Sequence, residues 1–206
     1  MEAIQNYSRR DFVKTIGLAS GGLLLAANSS LFASESSTTI ETFNPNLFVY
    51  LQTDGTLTLI ASRSEMGNGV RTSLPSIIAD EMEADWSKVV VQQALGDAKY
   101  GDQNTDGSRS ILYLYETMRK MGATAKALLI TAAAQKWNVP EAECIAQHHF
   151  IVHNSGKKLG FGELAATAKT LELPKNVTLK NPKDFNYIGK TLKSVDVGNY
   201  ANGSAV

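Results

Sequence analysis

The spacing of apolar residues changes along the chain from the alternation of strands to the periodicity of helices. Two runs rich in β-branched residues, 47–53 and 56–62, flank Asp54-Gly55, and this pattern predicts a β-hairpin. Beyond the hairpin, helical spacing predicts an amphipathic helix over residues 73–83. The apolar stripe of that helix consists of Leu74, Ile77, Ile78 and Met82.

The same reasoning predicts a strand, a long helix, two short strands and a shorter helix further along the chain. The two short strands either pair or run together. The segment from residue 173 contains two prolines, few apolar residues and several lysines, which is typical of an extended linker. This order of elements favours an α+β fold with a small mixed sheet and two or three packed helices. The predicted bounds are 88–94 (strand), 111–137 (helix), 144–147 and 149–153 (strands) and 161–170 (helix).

The composition permits one globular domain and narrows its partners. Hydrophobic residues make up 43% of the chain, and the 20 basic and 20 acidic side chains cancel, so neither nucleic acid nor an anionic membrane is indicated. The single cysteine, Cys144, excludes an intramolecular disulfide and an iron–sulfur cluster made by this chain alone. We expect a signal peptide at 1–33, a spacer at 34–43, an α+β domain at 44–172, and an extended linker with the start of a truncated next domain at 173–206.

A glycine-rich stretch lies between the hairpin and the first helix. Gly67 and Gly69 are separated by one residue and precede a helix whose Pro75 is expected in the first turn, so that the helix begins between residues 71 and 74. Backbone without a Cβ lets a ligand approach closely, and free N–H groups at a helix N-terminus favour an anion such as phosphate. The pattern predicts a ligand-binding loop, with an ordinary turn as the alternative.

Residues 106–110 repeat this construction at the start of the long helix. Ser108 or Ser110 is suited to cap that helix, Gly107 frees the backbone, and Arg109 adds planar donors that match a phosphate. If both loops bind one ligand, they should line one concave surface, with Arg109 directed inward.

A pair of glycines in this spacing also belongs to the dinucleotide-binding fingerprint. A strand, a glycine loop, a helix and the strand at 89–91 imitate a β–α–β unit. However, Thr72 occupies the position of the third glycine of that fingerprint, and Pro75 lies close to the start of the helix. The strand before the glycine loop is also predicted to pair in the β-hairpin. A nicotinamide or flavin site is therefore the weaker interpretation.

We assign no residue to catalysis or to metal binding. His148, His149 and His153 lack an acidic or cysteine partner at matching spacing, which favours polar positions on an exposed hairpin over a metal site. Glu65, beside the first glycine loop, is interpreted as bonding to the loop backbone or facing solvent rather than as a general base.

Three segments, taken in order, carry a family resemblance: EMGNGV at 65–70, ADEMEADWSKVVV at 79–91 and GSRS at 107–110. They resemble the molybdopterin-binding large subunit of the xanthine dehydrogenase and aldehyde oxidase family, in particular its isoquinoline 1-oxidoreductase β-subunit type. The likeness extends over residues 44–206. It implies a molybdenum–molybdopterin cofactor, plain or in the cytosine dinucleotide form, shared with a missing C-terminal part.

The resemblance also implies which residues contact that cofactor, because both glycine loops of the family touch its pterin and phosphates. Two positions depart from the family pattern: Asn68 stands where glutamine is common, and Asp106 precedes Gly107 where glycines are often paired. An acid beside a phosphate is unfavourable unless it points away, which puts the second loop in doubt. The implied cofactor contacts are Gly67, Asn68, Gly69, Val70, Gly107, Ser108, Arg109 and Ser110.

The N-terminus carries a twin-arginine export signal. Arg9 and Arg10 precede an apolar stretch at 16–27, which is far shorter than the ~20 residues that span a bilayer. Ala33 is the candidate cleavage site, but Leu31 fits that site poorly, so an uncleaved N-terminal anchor is the alternative. Twin-arginine export carries folded proteins, commonly with a cofactor already inserted, and predicts a periplasmic location.

Taken together, the resemblance implies the N-terminal portion of a periplasmic molybdenum hydroxylase large subunit that oxidises an aldehyde or an N-heterocycle. Its partners would be the remainder of the large subunit, an iron–sulfur small subunit and a downstream electron acceptor. The glutamate that serves as the family's catalytic base falls outside these 206 residues, so we expect the chain alone to be inactive. A non-catalytic exported binding module, or the remnant of a truncated gene, is the alternative.

Overall fold

A four-stranded mixed sheet forms one layer of the fold. The computed structural model describes residues 42–204, so the predicted signal peptide and nearly all of the spacer lie outside the described residues. Neighbouring strands pair in the order β1-β2-β3-β4, and only the β3–β4 pair is parallel. The mixed sheet and the β2–β3 hairpin are as predicted. The strands are β1 (Thr42–Asn46), β2 (Val49–Gln52), β3 (Leu57–Ala61) and β4 (Val89–Gln93).

Strand β1 was not predicted, and it starts inside the expected spacer. Phe43 is 2% exposed and belongs to the core, although the spacer was expected to continue to residue 43. The packed unit therefore includes residues 42 and 43.

Helix α1 (Val70–Met82) crosses from β3 to β4, which a parallel pair requires. It begins one residue before the predicted window, so Pro75 lies in the second turn and not in the first. Nearly every position of α1 is buried, because the sheet covers one side and helix α2 (Arg109–Trp137) covers another. The two helices touch closely at Gly122, where a Cβ would lie 2.5 Å from the carbonyl oxygen of Ile78.

A second, antiparallel sheet follows α2. It consists of β5 (Cys144–Gln147), β6 (Phe150–His153) and β7 (Lys158–Gly160), and it leads into helix α3 (Phe161–Ala168). The two short strands therefore pair rather than run together. His148 and His149 form the tight turn between β5 and β6, with φ of 44° and 70°.

His149 is buried, which corrects the expectation of an exposed polar hairpin. Its ring is 1% exposed, and its Nε2 lies 2.9 Å from the carbonyl oxygen of Gly55 in the β2–β3 turn. Its Nδ1 accepts a hydrogen bond from the N–H of Asp85 at 3.3 Å, so Nε2 carries the proton. The residue thereby joins the second sheet to the first.

Between residues 173 and 204 the chain forms no strand, and it is fixed to α1. The carboxylate of Asp80, which is fully buried, accepts three backbone N–H groups of this segment and the ammonium of Lys180 at 2.8 Å. The three donors are Asn186 (3.1 Å), Tyr187 (2.9 Å) and Ile188 (2.8 Å). A short helix, α4 (Val197–Asn202), ends the described chain.

Candidate functional site

The first glycine loop joins β3 to α1 and depends on its two glycines. Gly67 and Gly69 have φ of 88° and 76°, in the region that side chains with a Cβ rarely adopt. Gly69 is the N-cap of α1, and its carbonyl oxygen accepts the N–H groups of Thr72 at 3.1 Å and Ser73 at 2.9 Å. The prediction of a glycine loop directly before a helix is therefore confirmed.

The N–H groups of this loop are not free, because the Glu65 carboxylate occupies them. Its three backbone donors are Gly67 (2.7 Å), Gly69 (2.9 Å) and Arg71 (3.1 Å). The Oδ1 atom of Asn68 accepts a fourth amide, that of Val70, at 3.3 Å. Partial burial raises the pKa of Glu65, but the hydrogen bonds from the backbone outweigh it and hold the pKa below its ordinary value. The expectation that this loop offers free N–H donors to a phosphate is therefore wrong. The interpretation that the Glu65 side chain accepts hydrogen bonds from the loop backbone is confirmed.

The second loop leaves the start of α2 open. Ser108 is the N-cap with φ of 56°, and neither it nor Ser110 caps the helix with its side chain, so that expectation is wrong. The N–H of Arg109 is taken by the carbonyl oxygen of Asp106 at 3.1 Å. The N–H groups of Ser110 and Ile111 have no acceptor among residues 42–204. Ser110 is 7% exposed, and its hydroxyl has no hydrogen-bond partner in the described chain.

Arg109 does not line the space between the loops, contrary to the expectation that it is directed inward. Its Nη2 lies 2.5 Å from Oδ2 of Asp106, and its guanidinium lies 5.8 Å from the ring centre of Tyr113. The hydrogen bonds from Arg109 hold the pKa of Asp106 below its ordinary value. Arg109 therefore neutralises the acid that the sequence places beside this loop.

The two glycine loops meet, as predicted, and line one cavity of about 430 Å³, which we call the shared cavity. Among the predicted contacts, Gly67, Gly69 and Arg109 do not line it. Three hydrogen bonds hold the second loop against the first: Thr105 Oγ1 to the Ser64 carbonyl (2.9 Å), Gln103 Nε2 to the Ser62 carbonyl (3.2 Å) and Arg63 Nη2 to Asp102 Oδ2 (3.1 Å). The lining residues are Met66, Asn68, Val70, Ser73, Thr105, Asp106, Gly107, Ser108, Ser110 and Ile111.

A second cavity of about 330 Å³ adjoins the first, and Ser73 and Ile111 line both. It lies between α1, α2 and the segment that Asp80 holds, which supplies residues 187–190 to its wall. Sequence reasoning missed this cavity and the roles of Ser73, Thr105 and Ile111, because none of them carries a motif. The capture of the C-terminal segment by Asp80 is a long-range contact without a local sequence signal.

Residues 8–205 match the family model described as the molybdopterin cofactor-binding domain. This chain belongs to the molybdopterin cofactor-binding domain family. The resemblance that three short segments carry is therefore confirmed over nearly the whole sequence.

Relatives of this chain include components of oxidoreductases. It is 32% identical to the beta subunit of isoquinoline 1-oxidoreductase from Brevundimonas diminuta, over 80% of this chain. It is 33% identical to a membrane-bound aldehyde dehydrogenase (pyrroloquinoline-quinone) of Gluconacetobacter polyoxogenes, again over 80% of this chain. With a subunit of nicotinate dehydrogenase from Pseudomonas putida the identity is 26% over 76% of this chain. The chain spans 22% of the length of the first two relatives and 13% of the third.

Two solved structures share lower similarity. Quinoline 2-oxidoreductase of Pseudomonas putida aligns with a TM-score of 0.49 at 20% identity, over 63% of this chain and 17% of that protein. CO dehydrogenase of Oligotropha carboxidovorans aligns with a TM-score of 0.47 at 19% identity, over 63% and 18% respectively.

Between residues 42 and 204, no set of three or more histidine, cysteine or carboxylate side chains is placed to bind a metal ion. In the same part of the chain, no helix has the length and apolar character needed to cross a membrane.

Proposed function

We propose that this chain is the cofactor-holding N-terminal portion of a periplasmic molybdenum hydroxylase large subunit that oxidises an aldehyde or an N-heterocycle. The observation that carries the proposal is the shared cavity, because two loops far apart in sequence converge on it with backbone and hydroxyl donors. The relatives named above are oxidoreductases acting on an aldehyde, isoquinoline and nicotinate, which supports the substrate class.

The residues present fit the molybdenum–molybdopterin cofactor. Ser110 lines the cavity and offers a hydroxyl donor, and the neighbouring amides of α2 are open, so this end of the cavity suits a phosphate. Asn68 and Val70 line the opposite wall, and Gly67 and Gly69 give that wall its shape. When bound, the molybdenum centre supplies the redox chemistry, and the chain positions the group and screens it from water.

The cytosine dinucleotide form of the cofactor is part of the proposal. The adjoining cavity continues from the shared cavity past Ser73 and Ile111, which gives a longer concave surface than a pterin and one phosphate need. The remainder of the large subunit, an iron–sulfur small subunit and a downstream electron acceptor are the proposed partners. Two relatives are named as individual subunits, which supports an assembly of this kind.

The proposal is tested by purifying the chain from a bacterium that makes the cofactor and measuring molybdenum and oxidised, fluorescent pterin per chain. We expect pterin in the wild type and its loss in a Ser108→Ala/Ser110→Ala double variant. Ser155→Ala, on the β6–β7 turn, is the matched control and should retain pterin. A wild-type chain without pterin, or variants that retain it fully, would contradict the proposal and favour a non-catalytic binding module.

A further inference from the structure

We propose that Glu65 is a built-in anion that positions the first glycine loop and denies its amides to an incoming phosphate, so that phosphate binds at the start of α2. This inference rests on the proposed function, because it assigns positions within the same cavity. It concerns the apo chain, however, and is testable without the cofactor.

Acceptors within the chain engage the backbone donors around the first loop. Glu65 takes three amides through both carboxylate oxygens, at 2.7 to 3.1 Å. Asn68 takes the amide of Val70, and the carbonyl of Gly69 takes the next two amides of α1. A phosphate at this end of the cavity would therefore meet donors that are already engaged.

The negative charge of Glu65 also disfavours a second anion at the start of α1. The N-terminus of a helix carries a partial positive charge, and a carboxylate placed there is stabilised and reduces the attraction for a second anion. The hydrogen bonds that lower the pKa of Glu65 keep this carboxylate ionised at neutral pH. A phosphate beside α1 would face a like charge at short range, which is unfavourable.

Helix α2 differs from α1, because no carboxylate within residues 42–204 accepts the N–H groups of Ser110 and Ile111. The carboxylate of Asp106 is close, but it is paired with Arg109, and the amides of Ser110 and Ile111 lack acceptors within the described chain. Ser110 adds a second, independent feature, since this residue is 7% exposed, lines the cavity and makes no side-chain hydrogen bond within the described chain. The two ends of the shared cavity therefore differ in chemistry.

The wall formed by the first loop suits an uncharged polar group. Asn68 lines the cavity, and because its Oδ1 accepts the amide of Val70, its NH2 group remains as a neutral donor. Glu65 thus determines the orientation of a ligand with one charged and one neutral end: the phosphate lies at α2 and the neutral ring at α1.

The test follows backbone amide NMR signals of the full chain during titration with inorganic pyrophosphate at constant ionic strength. In the wild type, we expect the signals of Ser108, Ser110 and Ile111 to shift, while those of Gly67 and Gly69 remain unchanged. In Glu65→Gln and Glu65→Ala, the signals of Gly67 and Gly69 should respond as well, with an affinity at the first loop at least about fivefold higher than in the wild type. Measuring both variants controls for local disorder of the loop, because Glu65→Gln keeps one acceptor oxygen in the loop whereas Glu65→Ala keeps none.

Glu116→Ala is the control, because it removes an equal charge from an exposed position of α2 and should leave the wild-type pattern unchanged. A wild-type response at Gly67 and Gly69, or no new response in either Glu65 variant, would overturn the inference. A chain that retains no pterin but shows the expected amide pattern would refute the proposed function and leave the role of Glu65 intact.

Discussion

The contact between α1 and α2 at Gly122 sets the distance between the two loops, because α1 carries the first loop and α2 carries the second. A Cβ at this position would lie 2.5 Å from the Ile78 carbonyl oxygen, 2.8 Å from Cβ of Glu81 and 3.2 Å from the Ile78 carbonyl carbon. These are backbone and Cβ atoms rather than the ends of flexible side chains. Gly122→Ala therefore forces the helices apart.

The magnitude follows from two opposing effects. Overpacking of a tight core costs about 1–3 kcal/mol. The upper end applies here, because Glu81 is fully buried and is held by Arg119 at 2.5 Å, so it cannot move aside freely. Alanine is favoured over glycine inside a helix by about 1 kcal/mol, which offsets part of this penalty. We expect a net loss of about 2 kcal/mol in the free energy of unfolding, and a midpoint lower by about 4–8 °C.

Thermal and urea unfolding followed by circular dichroism measure this change. Gly198→Ala is the matched control, because Gly198 lies in helix α4 and a Cβ there would meet no atom within 4 Å. That variant should be as stable as the wild type or slightly more stable. If Gly122→Ala unfolds at or above the wild-type midpoint, the reasoning about a closed α1–α2 contact is wrong. The widened contact should also reduce pterin retention.

Three further predictions concern pH, export and activity. Burial lowers the pKa of His149 below its ordinary value, so the unfolded chain binds the proton more readily than the folded chain. The contribution of His149 to the free energy of unfolding should be fully present above pH ~6.5. Below that pH the free energy of unfolding should fall by up to about 1.4 kcal/mol per pH unit, until the pKa of the folded state is reached. His149→Gln should flatten this dependence in urea unfolding, and an unchanged slope would contradict it. Replacing Arg9 and Arg10 with lysine should leave the protein in the cytoplasm on cell fractionation, whereas undiminished periplasmic delivery would remove the export claim. The purified 206-residue chain should oxidise neither aldehydes nor N-heterocycles in a dye-reduction assay, and measurable turnover would refute this.

The sequence by itself determined most of the elements and the position of both glycine loops. Strand alternation around Asp54-Gly55 located the β2–β3 hairpin, and helical spacing located α1 and α2 to within a few residues of their observed bounds. Asn68 and Ser110 were expected at the ligand site and do line the shared cavity. These features depend on neighbours in the chain, since periodicity, turn residues and glycine backbone freedom act over a few positions.

The tertiary structure alone decided which amides of the site stay open and which distant residues are joined. The bonding of Glu65 to its own loop is local and could be interpreted from the sequence, but the open amides at the start of α2 are apparent only in the folded chain. The burial of His149 and the capture of the C-terminal segment by Asp80 join residues 94 to 108 positions apart. Local patterns carry no information about such partners, because hydrogen bonds and ion pairs between distant segments form only after the elements have packed.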